Sequence, residues 1–217
     1  MAAPYTLSAI VIQCTGMKKE LEHFYIGNSY GGNQDWFRTF MMRIGGCGAE
    51  TACDSSVYFA LHRNIEGIYP FDKDHITKTE YVDFAHIMEK YLWPRMSGID
   101  RLSIFVDGYS KYLSDRGIDN ISMTTLDGSA PYEAAALAVK TQIDSGCPVP
   151  TLILYHRDKE FKDFTWHWFL LNGYDEREDT MLVKAVTYSG WQWMDLRRLW
   201  NTGYERKGGF IIYHVEQ

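Results

Sequence analysis

The 217-residue chain has no C-x-x-C pair, and its four cysteines, Cys14, Cys47, Cys53 and Cys147, show no close spacing to a histidine. Structural zinc and dithiol redox chemistry therefore lack their usual signature. In a reducing compartment free thiols are the simplest expectation, with Cys14, Cys53 and Cys147 serving the core. No Lys/Arg cluster exceeds a pair, and the formal net charge is −6. That balance excludes a phosphate-tracking surface and sets nucleic acid aside as a partner. No apolar run approaches the roughly 18 residues that span a bilayer, so no membrane insertion is expected. The apolar stretch from Tyr5 to Cys14 has no basic region before it and no small-residue cleavage site. It reads as a strand, and the chain as a cytoplasmic protein. Internal repeats, low-complexity tracts and long linkers are missing too, so residues 1–217 are expected to form one domain.

What is present is a 46% apolar composition, enough for a sizeable core. A helix is expected from near Cys47 to His62 or Arg63. A second amphipathic pattern begins at Thr79 and Glu80 and runs through Tyr91, closed by Pro94. Asp100 is expected to cap a third, to about Leu113. Ser129, Pro131, the alanine-rich run from Ala134 to Ala138 and Gly146 mark the start and stop of a fourth. The period then changes. Residues 151–155, 165–173, 181–188 and 209–214 are rich in aromatic and β-branched residues with turn signals between them, which predicts strands. The fold class expected is α+β, with a mainly helical lobe over about 1–147 and a mainly β lobe over about 148–217.

Gly45, Gly46, Cys47, Gly48 and Ala49 set a thiol where a glycine turn feeds a helix N-terminus. Unpaired N–H groups and the macrodipole favour negative charge there, which would lower the thiol pKa and make Cys47 a candidate nucleophile. A cysteine nucleophile needs a base distant in sequence but adjacent in the fold. His62, His75, His86, His156 and His214 fall on predicted helices, polar loops or strand ends and read as solvated. His167 differs, because Trp166-His167-Trp168-Phe169-Leu170-Leu171 embeds it in an apolar strand.

The polar turn from Asp175 to Asp179 predicts a hairpin centred near Arg177. In that register His167 faces Thr187, with Ser189 diagonal on the same side, so a hydroxyl stands where a histidine orienter is required. Asp175 is about 27 Å along the strand from His167 and is excluded from that role.

These residues carry a resemblance. Asn33-Gln34-Asp35-Trp36, Gly46-Cys47-Gly48 ahead of a helix, the passage from Ile143 to Val149, and His167-Trp168 through Gly173-Tyr174-Asp175 together resemble the papain-like cysteine peptidases, in particular the peptidase domains of bacteriocin-processing transporters and their free-standing relatives. The likeness covers the chain from about residue 30 onward. It implies the papain-like fold, with a helical lobe carrying the nucleophile and an antiparallel β lobe carrying the histidine. It implies that Gln34, or alternatively Asn33, completes an oxyanion hole with the Cys47 N–H. Gln34 lies thirteen residues before Cys47, so the segment from Trp36 to Arg43 must loop or form a helical turn. Thr187 stands at the position of the family's orienting asparagine, within Thr187-Tyr188-Ser189-Gly190, and this is a departure from the family pattern.

The function implied is that of a thiol-dependent hydrolase, a cysteine peptidase acting on a peptide or protein substrate through a Cys47 thioester, with no cofactor. The same dyad could serve an acyltransferase, deamidase or transglutaminase-like enzyme, and an idle peptidase-like binding module is the alternative outside catalysis. A metal site on Cys47 and His167 lacks a third and fourth ligand. Five of the seven tryptophans lie between Trp166 and Trp200. Trp168, Trp191 and Trp193 could wall a groove or pack a core, and the loop from Gly27 to Gly32 could gate the site or be a plain turn.

Overall fold

The computed structural model describes residues 16–95 and 98–216, so the strand expected over Tyr5 to Cys14 lies outside the described residues. Three short strands come first, β1 (Lys18–Glu20), β2 (Tyr25–Ile26) and β3 (Ser29–Tyr30), followed by a 3-10 turn at Gln34–Trp36. Helices α1 (Phe40–Gly45), α2 (Cys47–His62), α3 (Lys78–Met88) and α4 (Leu102–Asp115) follow. Next come β4 (Ile121–Asp127), α5 (Tyr132–Asp144), β5 (Val149–Ile153) and a second 3-10 turn at Lys159–Phe164. The chain closes with β6 (His167–Glu176), β7 (Met181–Thr187), β8 (Gly190–Asp195), α6 (Leu196–Trp200) and β9 (Gly209–Val215).

The architecture is α+β, built on a seven-stranded antiparallel sheet in the order β4-β9-β5-β6-β7-β8, with β1 paired to the far end of β6. Two of those strands, β1 and β4, come from the part of the chain expected to be mainly helical. Strand β4 is mostly exposed at the sheet edge against β9, with Ile121 buried and Met123 and Leu126 half-buried. Its apolar content is low enough to hide it among helical signals.

The expected helices form, and three of their caps differ. Pro131, not Ser129, is the N-cap of α5. Thr77, not Thr79, starts α3, and it makes a reciprocal capping box with Glu80. Asp100 makes no cap for α4. Its carboxylate pairs with Arg206 instead. Gly146 adopts φ +75° just past α5, and the Cys147 N–H reaches back to the Gln142 carbonyl at 2.8 Å, the αL stop that glycine allows at low cost.

Helix α2 is the buried axis of the molecule, with every residue from Cys47 to Ala60 out of solvent. Two of its serine hydroxyls are satisfied within the helix. The Ser55 and Ser56 hydroxyls donate to the carbonyls of Thr51 and Ala52, each at 2.8 Å. This lets a helix with polar residues be enclosed on all sides without orphaned hydroxyls.

Candidate active site

The thiol of Cys47 opens α2, and a single residue joins that helix to α1. Gly46 is at once the C-cap of α1 and the N-cap of α2, with an ordinary φ of −84°. Glycine is needed here for space, because a Cβ at Gly46 would stand 2.3 Å from the Met42 carbonyl oxygen. The expectation that the segment before the glycines loops or turns helical is met by α1, whose Thr39 hydroxyl accepts from the Met42 N–H at 3.3 Å.

Cys47 is 6% exposed, in a first helical turn that packs against the start of β6, where a Cβ at Gly48 would stand 3.5 Å from the Trp168 ring. The expected lowering of its pKa does not occur. Burial pushes the thiol up to about 11, ahead of the lowering from the N–H groups of Trp168, Gly48 and Cys47 itself. Desolvation of a thiolate outweighs the helix terminus at this site. Glu50, one turn on, is also buried and held well above the usual carboxylate range, first by burial and then by the charge of Asp54.

His167 opens β6 and is 3% exposed. Its Nε2 lies 2.7 Å from the Thr187 hydroxyl. Burial lowers its pKa to about 4, so the imidazole is neutral near pH 7. Between Thr187 and Ser189 the role of neighbour falls to Thr187, since the Ser189 hydroxyl accepts instead from the Asn33 amide at 2.9 Å.

The register that brings His167 and Thr187 together is not the one expected. The turn centres beyond Arg177, with Glu176 opposite Met181, and near the site Leu170 faces Val186. Between them Asn172 and Gly173 oppose Lys184 alone, a bulge that shifts the pairing by one residue. A one-residue slip turns a strand's faces over, so without this bulge Thr187 would point away from His167. With it, the two meet diagonally.

Tyr188 is a part of the site that had no role in the sequence reading. Its ring lies parallel to His167, tilted by 3° with centroids 4.6 Å apart, and its hydroxyl is 3.5 Å from Nδ1. Tyr188 and Ser189 both have positive φ, 49° and 65°, as does Trp166 at 53° just before His167. Three left-handed non-glycine residues around one imidazole are backbone strain of the kind that gathers at functional sites. The turn is held from outside, because the Tyr30 N–H donates to the Ser189 carbonyl at 3.1 Å. The glycine-rich segment before the 3-10 turn thus forms the β2–β3 hairpin, tied to the site. Asp54 anchors the same segment to α2, accepting from the Gly32 N–H and the Tyr81 hydroxyl.

Gln34 is buried, and its amide donates to the Arg43 carbonyl at 3.0 Å, which uses one of two amide protons. Asn33 caps the 3-10 turn by accepting from the Asp35 N–H. The tryptophans divide. Trp168 is core, stacked on Phe105 at 4.6 Å with its indole N–H on the Ile99 carbonyl. Trp191 is exposed and borders a shallow hollow with Thr187 and Tyr188. A cleft of about 360 Å³ opens at Cys47 between Ile44, Gly45, Arg95, Ile99, Leu152 and Trp166. Of the histidines expected to be solvated, His75 and His214 are exposed as expected, and His86 and His156 are half-buried; each has a polar neighbour. His75 faces Asp72, His86 faces Glu89, His156 the Arg198 carbonyl and His214 the Thr124 hydroxyl.

No helix among the described residues is long and apolar enough to cross a membrane. Cys53 and Cys147 are buried free thiols, and Cys14 lies outside the described residues. Compared with protein-family models, with curated proteins and with solved structures, the chain matches none.

Proposed function

We propose that the chain is a thiol-dependent hydrolase of the papain-like kind, a cysteine peptidase that cleaves a peptide or amide bond through a Cys47 thioester. The observation that carries the reading is the 2.7 Å contact of His167 Nε2 with the Thr187 hydroxyl, made one residue before Trp168, whose ring packs against the first turn of the helix that Cys47 opens. The α+β order, with the thiol on a buried helix and the imidazole on an antiparallel sheet, agrees with it.

The protonation states shape the mechanism. With the thiol pushed up to about 11 and the imidazole down to about 4, both are neutral at pH 7 in the free protein. The Cys47 proton therefore moves to His167 as sulfur attacks the carbonyl carbon, which is general-base catalysis rather than attack by a resting thiolate. The tautomer in which Nε2–H donates to Thr187 leaves Nδ1 as the accepting nitrogen. Negative charge gathers on the carbonyl oxygen, where the Cys47 N–H and the remaining amide proton of Gln34 stabilise it. The imidazolium then gives its proton to the leaving amine as the carbon–nitrogen bond breaks. Water, deprotonated by His167, hydrolyses the thioester and restores the thiol.

A pool of synthetic peptides incubated with the protein, with new termini read by mass spectrometry, tests the reading. Cleavage that disappears in Cys47→Ala and falls by about a hundredfold or more in His167→Ala supports it. Capture of the acyl group by an added amine in preference to water moves the activity to acyl transfer. Binding without turnover in the wild-type protein moves it to an idle module.

A further inference from the structure

Three exposed rings and three arginines form a strip that begins at the Cys47 cleft. Trp166 lines that cleft and meets Tyr155 edge-on, with centroids 5.3 Å apart. Tyr155 in turn lies 5.4 Å from Tyr204. All three rings are exposed, Tyr155 by 37%, Trp166 by 40% and Tyr204 by 44%. Past Trp166 a second hollow of about 410 Å³ is bordered by Tyr155, Arg157, Tyr204 and Arg206. Contiguous exposed apolar surface leading out of a cleft is a mark of binding.

The charge of the strip opposes that of the molecule. Arg95 lines the inner cleft, the Arg206 guanidinium lies over Trp166 at 5.5 Å, and that of Arg157 over Tyr204 at 5.4 Å. Two acids are present, since Asp100 pairs with Arg206 and Glu205 borders the outer hollow. Arg95 and Arg157 have no ion-pair partner among the described residues, whose arginine pairs involve other side chains. In a chain of net charge −6, two unpaired guanidinium groups set among aromatic rings make a local cationic, apolar track.

We propose that this strip is the substrate groove, and that it takes an extended peptide segment in which an acidic side chain neighbours an aromatic or other large apolar one. The inference rests on the thiol-hydrolase reading of Cys47. The rings supply stacking surface, and a guanidinium pairs with a carboxylate through two parallel N–H bonds. The net negative charge elsewhere leaves this strip as the favourable approach for such a segment.

The test uses N-acetylated, C-amidated hexapeptides that hold one phenylalanine followed by glutamate, glutamine or lysine. Their binding to the Cys47→Ala protein is measured by tryptophan fluorescence, so no turnover is needed. The glutamate peptide is expected to bind about threefold tighter than the glutamine peptide, with lysine weaker still. That advantage should shrink as salt is raised and disappear in a variant carrying Arg95→Gln and Arg157→Gln, both at exposed positions. Equal binding of the three, a lysine preference, or no binding of any overturns the proposal. A glutamate preference with no cleavage by the wild-type protein keeps the groove and rejects the hydrolase. Cleavage without charge preference keeps the hydrolase and rejects the groove.

Discussion

The imidazole of His167 meets the Thr187 hydroxyl at 2.7 Å, and in the proposed mechanism this one contact governs how firmly the ring is held. A single neutral hydrogen bond contributes on the order of 1 kcal/mol, which is roughly a factor of five in rate if it is lost in the transition state. Thr187→Val, which keeps the shape and removes the acceptor, is therefore expected to lower kcat by about fivefold with little change in KM, and Thr187→Asn to restore it. Steady-state kinetics on any cleaved peptide check this, and an effect of Ser189→Ala in place of Thr187→Val would reassign the orienter. Cys47 and His167 stood out as candidates in the sequence because each breaks its local pattern, a thiol in a glycine turn and a titratable ring in an apolar strand, whereas Thr187 was named from a hairpin register that the strands do not adopt and reaches His167 through the bulge. Tyr188 did not stand out, since a tyrosine in a turn is ordinary until its φ of 49° and its parallel ring over His167 are known. The direction of the Cys47 pKa was misread for a related reason. Position along a helix is visible in sequence, but the desolvation that overrides it belongs to the packed core.

Helix α1, the Gly46 junction and α2 form one device for holding the thiol. Because a Cβ at Gly46 would meet the Met42 carbonyl, Gly46→Ala must push backbone against backbone. A loss of about 1–3 kcal/mol is expected, read as a lower urea midpoint. Gly67→Ala is the contrasting case. Its φ is +77° with nothing within 4 Å, so only the conformational cost of about 1 kcal/mol applies. The four long helices were readable from apolar period and caps, and four sheet strands from their aromatic and β-branched content. The β6–β7 bulge was not, because its cause is tertiary. Lys184 stands alone opposite two residues, with its ammonium on Glu20 and the Tyr30 hydroxyl, each at 3.0 Å, contacts that reach across about 160 residues of chain. An edge strand such as β4, half wet and pairing with the far end of the chain, is equally silent in a local window.

At the scale of the whole molecule, the two buried groups of the site make stability depend on pH from both sides. His167 falls from its ordinary 6.5 to about 4 on folding, so the folded protein binds fewer protons than the unfolded chain between those values. Stability is therefore present above pH 6.5 and lost as pH falls through 4, by about 3 kcal/mol from this group alone. Cys47 rises from 9.0 to about 11, and its contribution is full below pH 9 and lost as pH rises through 11. Urea unfolding should give a plateau between about pH 6.5 and 9. The acid limb should flatten in His167→Gln, which leaves no group there to charge. An acid limb unchanged in that variant would mean that other carboxylates and histidines control it.

The most direct measurement of the central claim is acylation of Cys47 by p-nitrophenyl acetate, followed by release of nitrophenolate and by the mass of the tryptic peptide that contains the thiol. The account predicts a burst that places the acetyl group on Cys47 and not on Cys53 or Cys147, with a rate about a hundredfold or more lower in His167→Ala. Acylation spread over the thiols, or a Cys47 rate that His167→Ala leaves unchanged, would contradict it.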